Sequence, residues 1–351
     1  MAKSVSASLG YSLPLQIDHL VLDTSYQGAN LKTTINRYRP HSIIRRPGGT
    51  SRILLLLHGI GYHKEQWGPT LQYLFDLDRA SKGTSTIVEA WAIDYPSHGE
   101  AAELNAKALE QRPELLSIRS CAAAIHKLLT SELLERIQDG TCKVTLIGHS
   151  AGSIATTLAA SLFDNPRELF SEMISIEPSF WFPESRMTDT YRIMEKLTPS
   201  RRRRWDSKQM AYDWFKNRAP WSLWDPVVLK LYTKHGLKVE SGARDGAEAA
   251  VLRCNPSHES FIYAETDAIY EAVRYLGHLC RTFPCHLIFG ERIDIVSRDV
   301  QDSIIDPKAG RDFASVTRIE GTGHLVLQEK PARLAEVLYR ILQDSQSSCK
   351  L

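Results

Sequence analysis

The most informative stretch of the chain is LIGHSAG, residues 146–152. The apolar run 142–150 precedes it, and small residues dominate 151–163, which predicts a strand, a tight turn and a helix. Glycines at 148 and 152 would remove the side chains that crowd such a turn. The pattern Gly148-x-Ser150-x-Gly152 in this setting therefore predicts a nucleophile turn with Ser150 at its apex.

Outward from this turn, short apolar runs rich in β-branched residues alternate with longer amphipathic stretches. The continuous apolar run RILLLLHG at 52–59 is typical of a strand that is buried on both faces. Strand character returns at 285–291, and a helix is predicted at about 331–344. The alternation predicts an α/β fold with a mainly parallel, doubly wound sheet.

The segment 181–275 interrupts this alternation and is richer in Trp, Arg and Pro. We interpret it as an inserted, mostly helical cap on a core formed by 1–180 and 276–346, followed by a flexible tail at 347–351. The run Arg201–Arg204 lies in this segment. It is interpreted as a solvated helix start, with contact to an anionic substrate as the alternative.

The composition narrows the range of partners. The chain has 351 residues and a net charge of +2, so we expect no nucleic-acid partner. No stretch approaches 18 uncharged apolar residues, so no transmembrane segment is expected. The six cysteines lack C-x-x-C spacing and no His/Cys cluster stands out, so we expect neither a metal nor a cofactor.

A serine nucleophile needs a base and an oxyanion hole. His324 is the histidine that lies between the last predicted strand and the last helix, which is the usual place of the base. One oxyanion donor would be the backbone N–H of Ala151. The second would come from the glycine-rich loop after the 52–59 strand, at Ile60 or Gly61.

Two carboxylates are candidates for the acid that orients His324. Asp294 follows the penultimate strand, 30 residues before His324, and this position gives it a slight preference. Glu177 follows the strand after the nucleophile turn, 27 residues past Ser150. Either would fix the tautomer of the imidazole and stabilise the imidazolium.

The sequence ends in SSCKL, and Cys349-Lys350-Leu351 has the small, basic, leucine pattern of a peroxisomal address. A polar stretch, QDSQSS, precedes it, which would let an import receptor reach the tripeptide. We therefore predict a peroxisomal protein whose C-terminus binds the import receptor.

Five motifs in order resemble the α/β-hydrolase superfamily: LLLHG (55–59), DYPSHGE (94–100), GHSAG (148–152), FGERID (289–294) and GTGH (321–324). HGIGYHKEQW (58–67), IEPSF (176–180), WDPVVLKLYTKHGL (224–237) and the CKL end are also similar to fungal peroxisomal α/β-hydrolases of secondary-metabolite clusters, such as the host-selective toxin clusters of Alternaria. A more distant likeness is the peroxisomal acyl-CoA hydrolase of mycophenolic acid synthesis. That enzyme resembles members of the fold whose triad acid follows the strand after the nucleophile turn, which is the position of Glu177 here.

The resemblance implies a small-molecule ester or acyl-CoA-type thioester substrate, cleaved by a serine hydrolase in secondary-metabolite, toxin-type biosynthesis. His58, Tyr62 and Trp181 are the substrate-binding candidates, and Lys64 is weighed as a contact for coenzyme A phosphates. An acyltransferase with the same triad, a non-catalytic relative and a cofactor-free lyase remain alternatives.

Overall fold

The structure is a computed structural model that describes residues 14–42, 50–81, 85–241 and 248–344. The predicted peroxisomal address at 349–351 lies outside the described residues. Among the described helices, none combines the length and the apolar character needed to cross a membrane.

The strands are β1 (Gln16–Tyr26), β2 (Ala29–Arg39), β3 (Thr50–Leu57), β4 (Ser85–Ile93), β5 (Lys143–His149), β6 (Phe170–Ile176), β7 (Arg204–Trp205), β8 (Leu237–Ser241), β9 (Glu248–Leu252), β10 (Cys285–Gly290) and β11 (Ser315–Ile319). The helices of the first half are α1 (Trp67–Ala80), α2 (Ala101–Leu104), α3 (Ala106–Gln111), α4 (Ile118–Leu128), α5 (Leu134–Gln138), α6 (Ala151–Ser161) and α7 (Pro166–Leu169). Those of the second half are α8 (Met187–Leu197), α9 (Lys208–Lys216), α10 (Pro226–His235), α11 (Pro256–Ala264), α12 (Thr266–Thr282), α13 (Arg298–Ile304), α14 (Val326–Glu329) and α15 (Pro331–Asp344).

The main sheet has eight strands in the order β1-β2-β4-β3-β5-β6-β10-β11. The β1–β2 hairpin is antiparallel and joins β4 antiparallel, whereas every pair from β4 to β11 is parallel. The predicted α/β fold is thus confirmed. Because β3 lies between β4 and β5, the loops that follow β3 and β5 emerge side by side at the carboxyl edge of the sheet.

Helices cover both faces of the sheet. On one face α4, α6 and α12 pack together, and on the other α1 packs against α15. The buried residues of α6 that belong to the core are mostly small, such as Ala151, Ala155 and Ala159, so this helix approaches the sheet closely. Full burial of large side chains such as Leu71 and Leu338 on the opposite face stabilises the fold by about 1.5–3 kcal/mol each.

The segment between β6 and β10 is mostly helical, as the sequence predicted, but it is not purely so. It contains α8 to α11 but also a three-stranded antiparallel sheet in the order β7-β9-β8. Helix α12 runs across the predicted boundary at 275 and packs on α6 of the core. The domain boundaries remain a prediction.

The run Arg201–Arg204 is not a helix start, which corrects the expectation. A 3-10 turn ends at Ser200, and Arg204 begins β7. Arg201 instead pairs with the buried Glu259 at 2.5 Å. The run of like charges was interpreted as part of a helix, but it leads into the short strand β7. This strand pairs with β9, which is distant in sequence, so the local pattern did not reveal it.

Candidate active site

The nucleophile turn joins β5 to α6 at the carboxyl edge of the sheet. Ser150 has φ 54° and ψ −122°, a conformation that residues with a side chain rarely adopt. A Cβ at Gly148 would lie 2.5 Å from the backbone of Gly152 and Ser153, and one at Gly152 would lie 2.5 Å from the carbonyl oxygen of Leu57. Both glycines are therefore required by close packing of this turn.

His324 lies in the loop between β11 and α14, directly above the turn. Its Nε2 is 2.9 Å from Ser150 Oγ. Both side chains are well covered, with residue exposures of 8% for Ser150 and 5% for His324. The structure thus brings together the predicted nucleophile and the predicted base.

Glu177, rather than Asp294, contacts the imidazole of His324. Glu177 Oε2 is 3.2 Å from His324 Nδ1, and its Oε1 accepts the backbone N–H of Gly290. Asp294 Oδ1 accepts the backbone N–H of His324 at 2.8 Å, and the side chain of Arg292 lies 3.3 Å from its Oδ2. This geometry departs from the slight preference for Asp294.

The backbone explains this difference. Glu177 follows β6 directly and has φ 45°, so the chain turns sharply where it leaves the sheet. A Cβ at Gly290 would lie 2.5 Å from the carbonyl oxygen of Gly323, so the loop that carries His324 approaches the end of β10 closely. Asp294 then lies beside the backbone of that loop instead of its imidazole.

The loop after β3 passes close to the nucleophile. A Cβ at Gly59 would lie 3.1 Å from Ser150 Cβ. The N–H of Gly61 donates to His98 Nε2 at 2.9 Å, so this candidate oxyanion donor is already engaged. Ile60 remains as the loop candidate, together with Ala151 at the first position of α6, where an N–H has no acceptor within the helix.

His98 was not singled out from the sequence, although it lies in the DYPSHGE motif. Burial lowers the pKa of His98 well below its ordinary value, so the ring is neutral. Because Nε2 accepts from Gly61, Nδ1 carries the proton and donates to Ser97 Oγ at 3.0 Å. His98 thus fixes the backbone of the loop.

Lys64 and Asp94 form a buried ionic cluster beneath the same loop. Asp94 Oδ1 accepts the backbone N–H of Lys64 at 2.8 Å, and Oδ2 accepts from its ammonium group at 3.0 Å. The ammonium group also contacts Glu65 and Glu100. Burial alone would lower the pKa of Lys64, but Asp94 and Glu65 raise it. The fully buried, paired Lys64 is unavailable to coenzyme A phosphates, so the structure does not support that alternative.

The three substrate-binding candidates lie in different surroundings. His58 is fully buried, with Nε2 3.3 Å from Asp94, and so belongs to the ionic cluster. Tyr62 is half-buried and packs edge-on against Trp224 and a neighbouring tyrosine of α10. Trp181 is fully buried, and its ring centroid is 4.1 Å from that of Tyr191.

Sequence reasoning missed two further neighbours of the nucleophile. Ser179 Oγ is 3.1 Å from Ser150 Oγ. His149 Nε2 donates to the carbonyl oxygen of His324 at 2.9 Å, and burial lowers the pKa of His149 to about 3, so this ring is neutral too. Ser179 lies within the quoted motif IEPSF and His149 within GHSAG, but their side-chain directions depend on the turns described above.

An eight-stranded sheet, a strained serine turn and a histidine–carboxylate pair at its carboxyl edge define a hydrolase-type fold and site. The chain belongs to the alpha/beta hydrolase family, whose sequence model matches residues 54–337. A sequence search of curated proteins finds no match. The narrower resemblance to fungal toxin-cluster enzymes therefore stays a prediction.

Solved structures extend the likeness in fold. The peroxisomal alpha-beta-hydrolase Lpx1 of Saccharomyces cerevisiae is 17% identical, with 96% of this chain and 91% of that chain covered and a TM-score of 0.75. The esterase Rv0045c of M. tuberculosis is 16% identical, with coverages of 95% and 93% and a TM-score of 0.59. The thioesterase domain from the curacin biosynthetic pathway is 15% identical, with coverages of 92% and 99% and a TM-score of 0.58.

Proposed function

We propose that the protein is a serine hydrolase that cleaves an ester or thioester through an acyl-enzyme. The observation that carries this proposal is the chain of contacts from Ser150 Oγ to His324 Nε2, 2.9 Å, and from His324 Nδ1 to Glu177, 3.2 Å. A serine hydroxyl is a poor nucleophile unless a base removes its proton, and here a base lies within hydrogen-bond distance.

In this mechanism His324 takes the proton of Ser150 as Oγ attacks the acyl carbonyl. Glu177 holds the Nδ1–H tautomer and stabilises the imidazolium that forms. His324 then protonates the departing alcohol or thiol, and the acyl group stays on Ser150. Water repeats the cycle with His324 as base, which releases the acid and restores the free serine.

The negative charge on the carbonyl oxygen needs donors that are positioned in advance. We assign this role to the N–H groups of Ala151 and Ile60, since the Gly61 N–H is bonded to His98. Loss of one such donor slows comparable reactions by roughly 10²–10³. The α6 dipole, with its positive end at Ala151, adds to the same stabilisation.

The activities of the fold relatives support an acyl substrate. Rv0045c is an esterase and the curacin domain a thioesterase, and both share the fold of this chain. The proposed substrate class is therefore an acyl ester or an acyl-CoA-type thioester, in line with the toxin-cluster resemblance. Lpx1 is a peroxisomal enzyme, which is compatible with the peroxisomal location predicted from Cys349-Lys350-Leu351.

The test is thiol or alcohol release from a panel of acyl-CoAs and aryl esters, with wild type and Ser150→Ala. We expect Ser150→Ala to abolish turnover while its thermal unfolding midpoint stays within a few degrees of wild type. A folded Ser150→Ala protein with unchanged hydrolysis would refute the proposal. Wild-type protein that forms an acyl-enzyme, yet releases the acyl group only to an added alcohol or amine, would indicate an acyltransferase instead.

A further inference from the structure

A second hydroxyl group contacts the proposed nucleophile. Ser179 lies in the loop after β6, and its Oγ is 3.1 Å from Ser150 Oγ. Ser179 is buried, with a residue exposure of 1%. The Oγ of Ser150 therefore has two polar contacts, one with Ser179 and one with Nε2 of His324 at 2.9 Å. The direction of these two hydrogen bonds follows from the protons that each group can supply.

The single proton of the Ser150 hydroxyl can go to only one of these contacts. Because the carboxylate of Glu177 accepts at His324 Nδ1, the neutral imidazole carries its proton there, and Nε2 can only accept. Ser150 therefore donates its proton to Nε2, and its Oγ is the acceptor in the contact with Ser179. It follows that Ser179 donates its own proton to the nucleophile.

Ser179 is itself hydrogen-bonded to a tyrosine of α8, Tyr191. Burial raises the pKa of Tyr191, so the phenol keeps its proton. Since the proton of Ser179 points to Ser150, the Tyr191 hydroxyl donates to Ser179 Oγ. Two aromatic rings hold Tyr191 in place: Trp181, with ring centroids 4.1 Å apart, and Tyr263, which packs edge-on at 5.3 Å. The chain of hydroxyl groups thus begins at a closely packed ring.

We propose that Tyr191 and Ser179 form a positioning relay for the nucleophile, in which successive hydroxyl groups point their protons toward His324. The relay aligns the Ser150 proton with the base and favours the neutral form of that base, because hydrogen bonds in a chain strengthen one another. If the ring were protonated, Nε2–H would face an oxygen that already accepts from Ser179, and the buried proton of Ser150 would lose its partner. This inference rests on the proposed function and names further residues that orient its nucleophile.

The test measures how fast diisopropyl fluorophosphate labels Ser150, which requires no knowledge of the natural substrate. Oγ attacks phosphorus, fluoride leaves, and His324 takes the serine proton. Mass spectrometry of the intact protein gives the second-order rate constant at each pH between about 5 and 9. The rate falls at low pH as the base becomes protonated, so the midpoint of this fall reports how strongly the neutral form is favoured.

The ionisable neighbours of His324 are the same in every protein compared. Glu177 contacts Nδ1 at 3.2 Å, Asp294 accepts the backbone N–H, and the neutral ring of His149 donates to the carbonyl oxygen. The side chain of Arg292 lies 3.3 Å from Asp294. Because all four groups are retained, a midpoint that moves is caused by loss of the hydroxyl donor.

Ser179→Ala removes the donor to Oγ and leaves the proposed triad intact. We expect its labelling rate near neutral pH to fall by about two- to tenfold, the usual effect of one neutral hydrogen bond, and its midpoint to rise by about half a pH unit. Tyr191→Phe keeps the packed ring and should change both values in the same direction by a smaller amount. The matched control is Ser175→Ala on β6, since Ser175 Oγ is buried without a hydrogen-bond partner among the described residues. The control should keep the wild-type rate and midpoint.

The outcomes separate the relay from the hydrolase mechanism. A folded Ser179→Ala protein that is labelled with the wild-type rate and midpoint overturns the relay and leaves the proposed mechanism intact. A lower rate with an unchanged midpoint also overturns the relay, since it shows that Ser179 acts by packing alone. Wild-type protein that is not labelled at Ser150 overturns the proposed nucleophile and the relay together. Thermal unfolding of each variant excludes loss of fold as the cause of a lower rate.

Discussion

Replacement of Glu177 by glutamine tests the assignment of the triad acid. In the structure Glu177 Oε2 is 3.2 Å from His324 Nδ1, while Oε1 accepts the Gly290 N–H. A glutamine keeps this size and its carbonyl oxygen retains the bond to Gly290. Its NH₂ group then faces Nδ1 and favours the tautomer with the proton on Nε2.

That tautomer cannot accept the proton of Ser150. The equivalent change in a well-studied serine protease triad lowers kcat by about 10⁴, and we expect a loss of the same order here. The matched control is Asp294→Asn, in which the amide oxygen still accepts the backbone N–H of His324. A weakened hydrogen bond of this kind costs about 0.5–1.5 kcal/mol, so the activity should fall by roughly tenfold at most.

The assay measures kcat on the best substrate of the ester and thioester panel, with Ser150→Ala as the background. Thermal unfolding of each variant excludes loss of fold as the cause. A loss of about 10⁴ in Asp294→Asn, together with a minor loss in Glu177→Gln, would refute the assignment and restore the preference drawn from sequence. Equal large losses would show that the position of the His324 backbone matters as much as its tautomer.

Three further predictions concern stability and location. Lys64→Met should lower the free energy of unfolding by about 3–5 kcal/mol, because Asp94 is left buried without its partner; a change below about 1 kcal/mol in urea unfolding would contradict this. His149 has a pKa of about 3, below the value near 6.5 of the unfolded chain, so the unfolded state binds the extra proton and stability is lost as pH falls below about 6.5. Between pH 7.5 and 5.5 the loss from this residue is about 1.4 kcal/mol, and His149→Asn should flatten the urea-derived stability profile by that amount, whereas a parallel profile would disprove it. A fluorescent protein fused ahead of the full chain should enter peroxisomes and should stay outside them when residues 349–351 are deleted; equal import of both forms would contradict the predicted address.

The sequence predicted the parts of the site that depend on local pattern. Ser150 lies between an apolar strand and a helix of small residues, and the glycines beside it meet backbone atoms that no side chain would tolerate. His324 follows the last strand, where the fold brings it to the carboxyl edge. These features need only the order of strands and helices, which hydrophobic periodicity reports directly.

The parts that could not be predicted depend on where side chains point after the strands end. Glu177 and Asp294 follow neighbouring parallel strands, but Glu177 comes directly after β6 with a positive φ, whereas Asp294 lies four residues beyond the end of β10. The choice between Ile60 and Gly61 depends on His98, which lies 37 residues from Gly61 in sequence. Pairing across such distances leaves no periodic signal in a single sequence.

The partners of charged side chains could not be predicted from the sequence for the same reason. The sequence interpretation treated Lys64 and Arg201 as groups that face solvent or substrate phosphates, because most lysines and arginines are exposed. In the structure each is paired with a carboxylate from another element, Asp94 and Glu259 respectively. A carboxylate partner that comes from elsewhere in the chain cannot be recognised without the fold.

These buried charges share one neighbour, the loop at 58–64. Asp94 holds the backbone of this loop at Lys64, and His98 holds it at Gly61. Preorganised donors stabilise an oxyanion better than mobile ones, because they need no reorganisation during the reaction. We therefore expect the ionic cluster to support the proposed oxyanion stabilisation by fixing the loop.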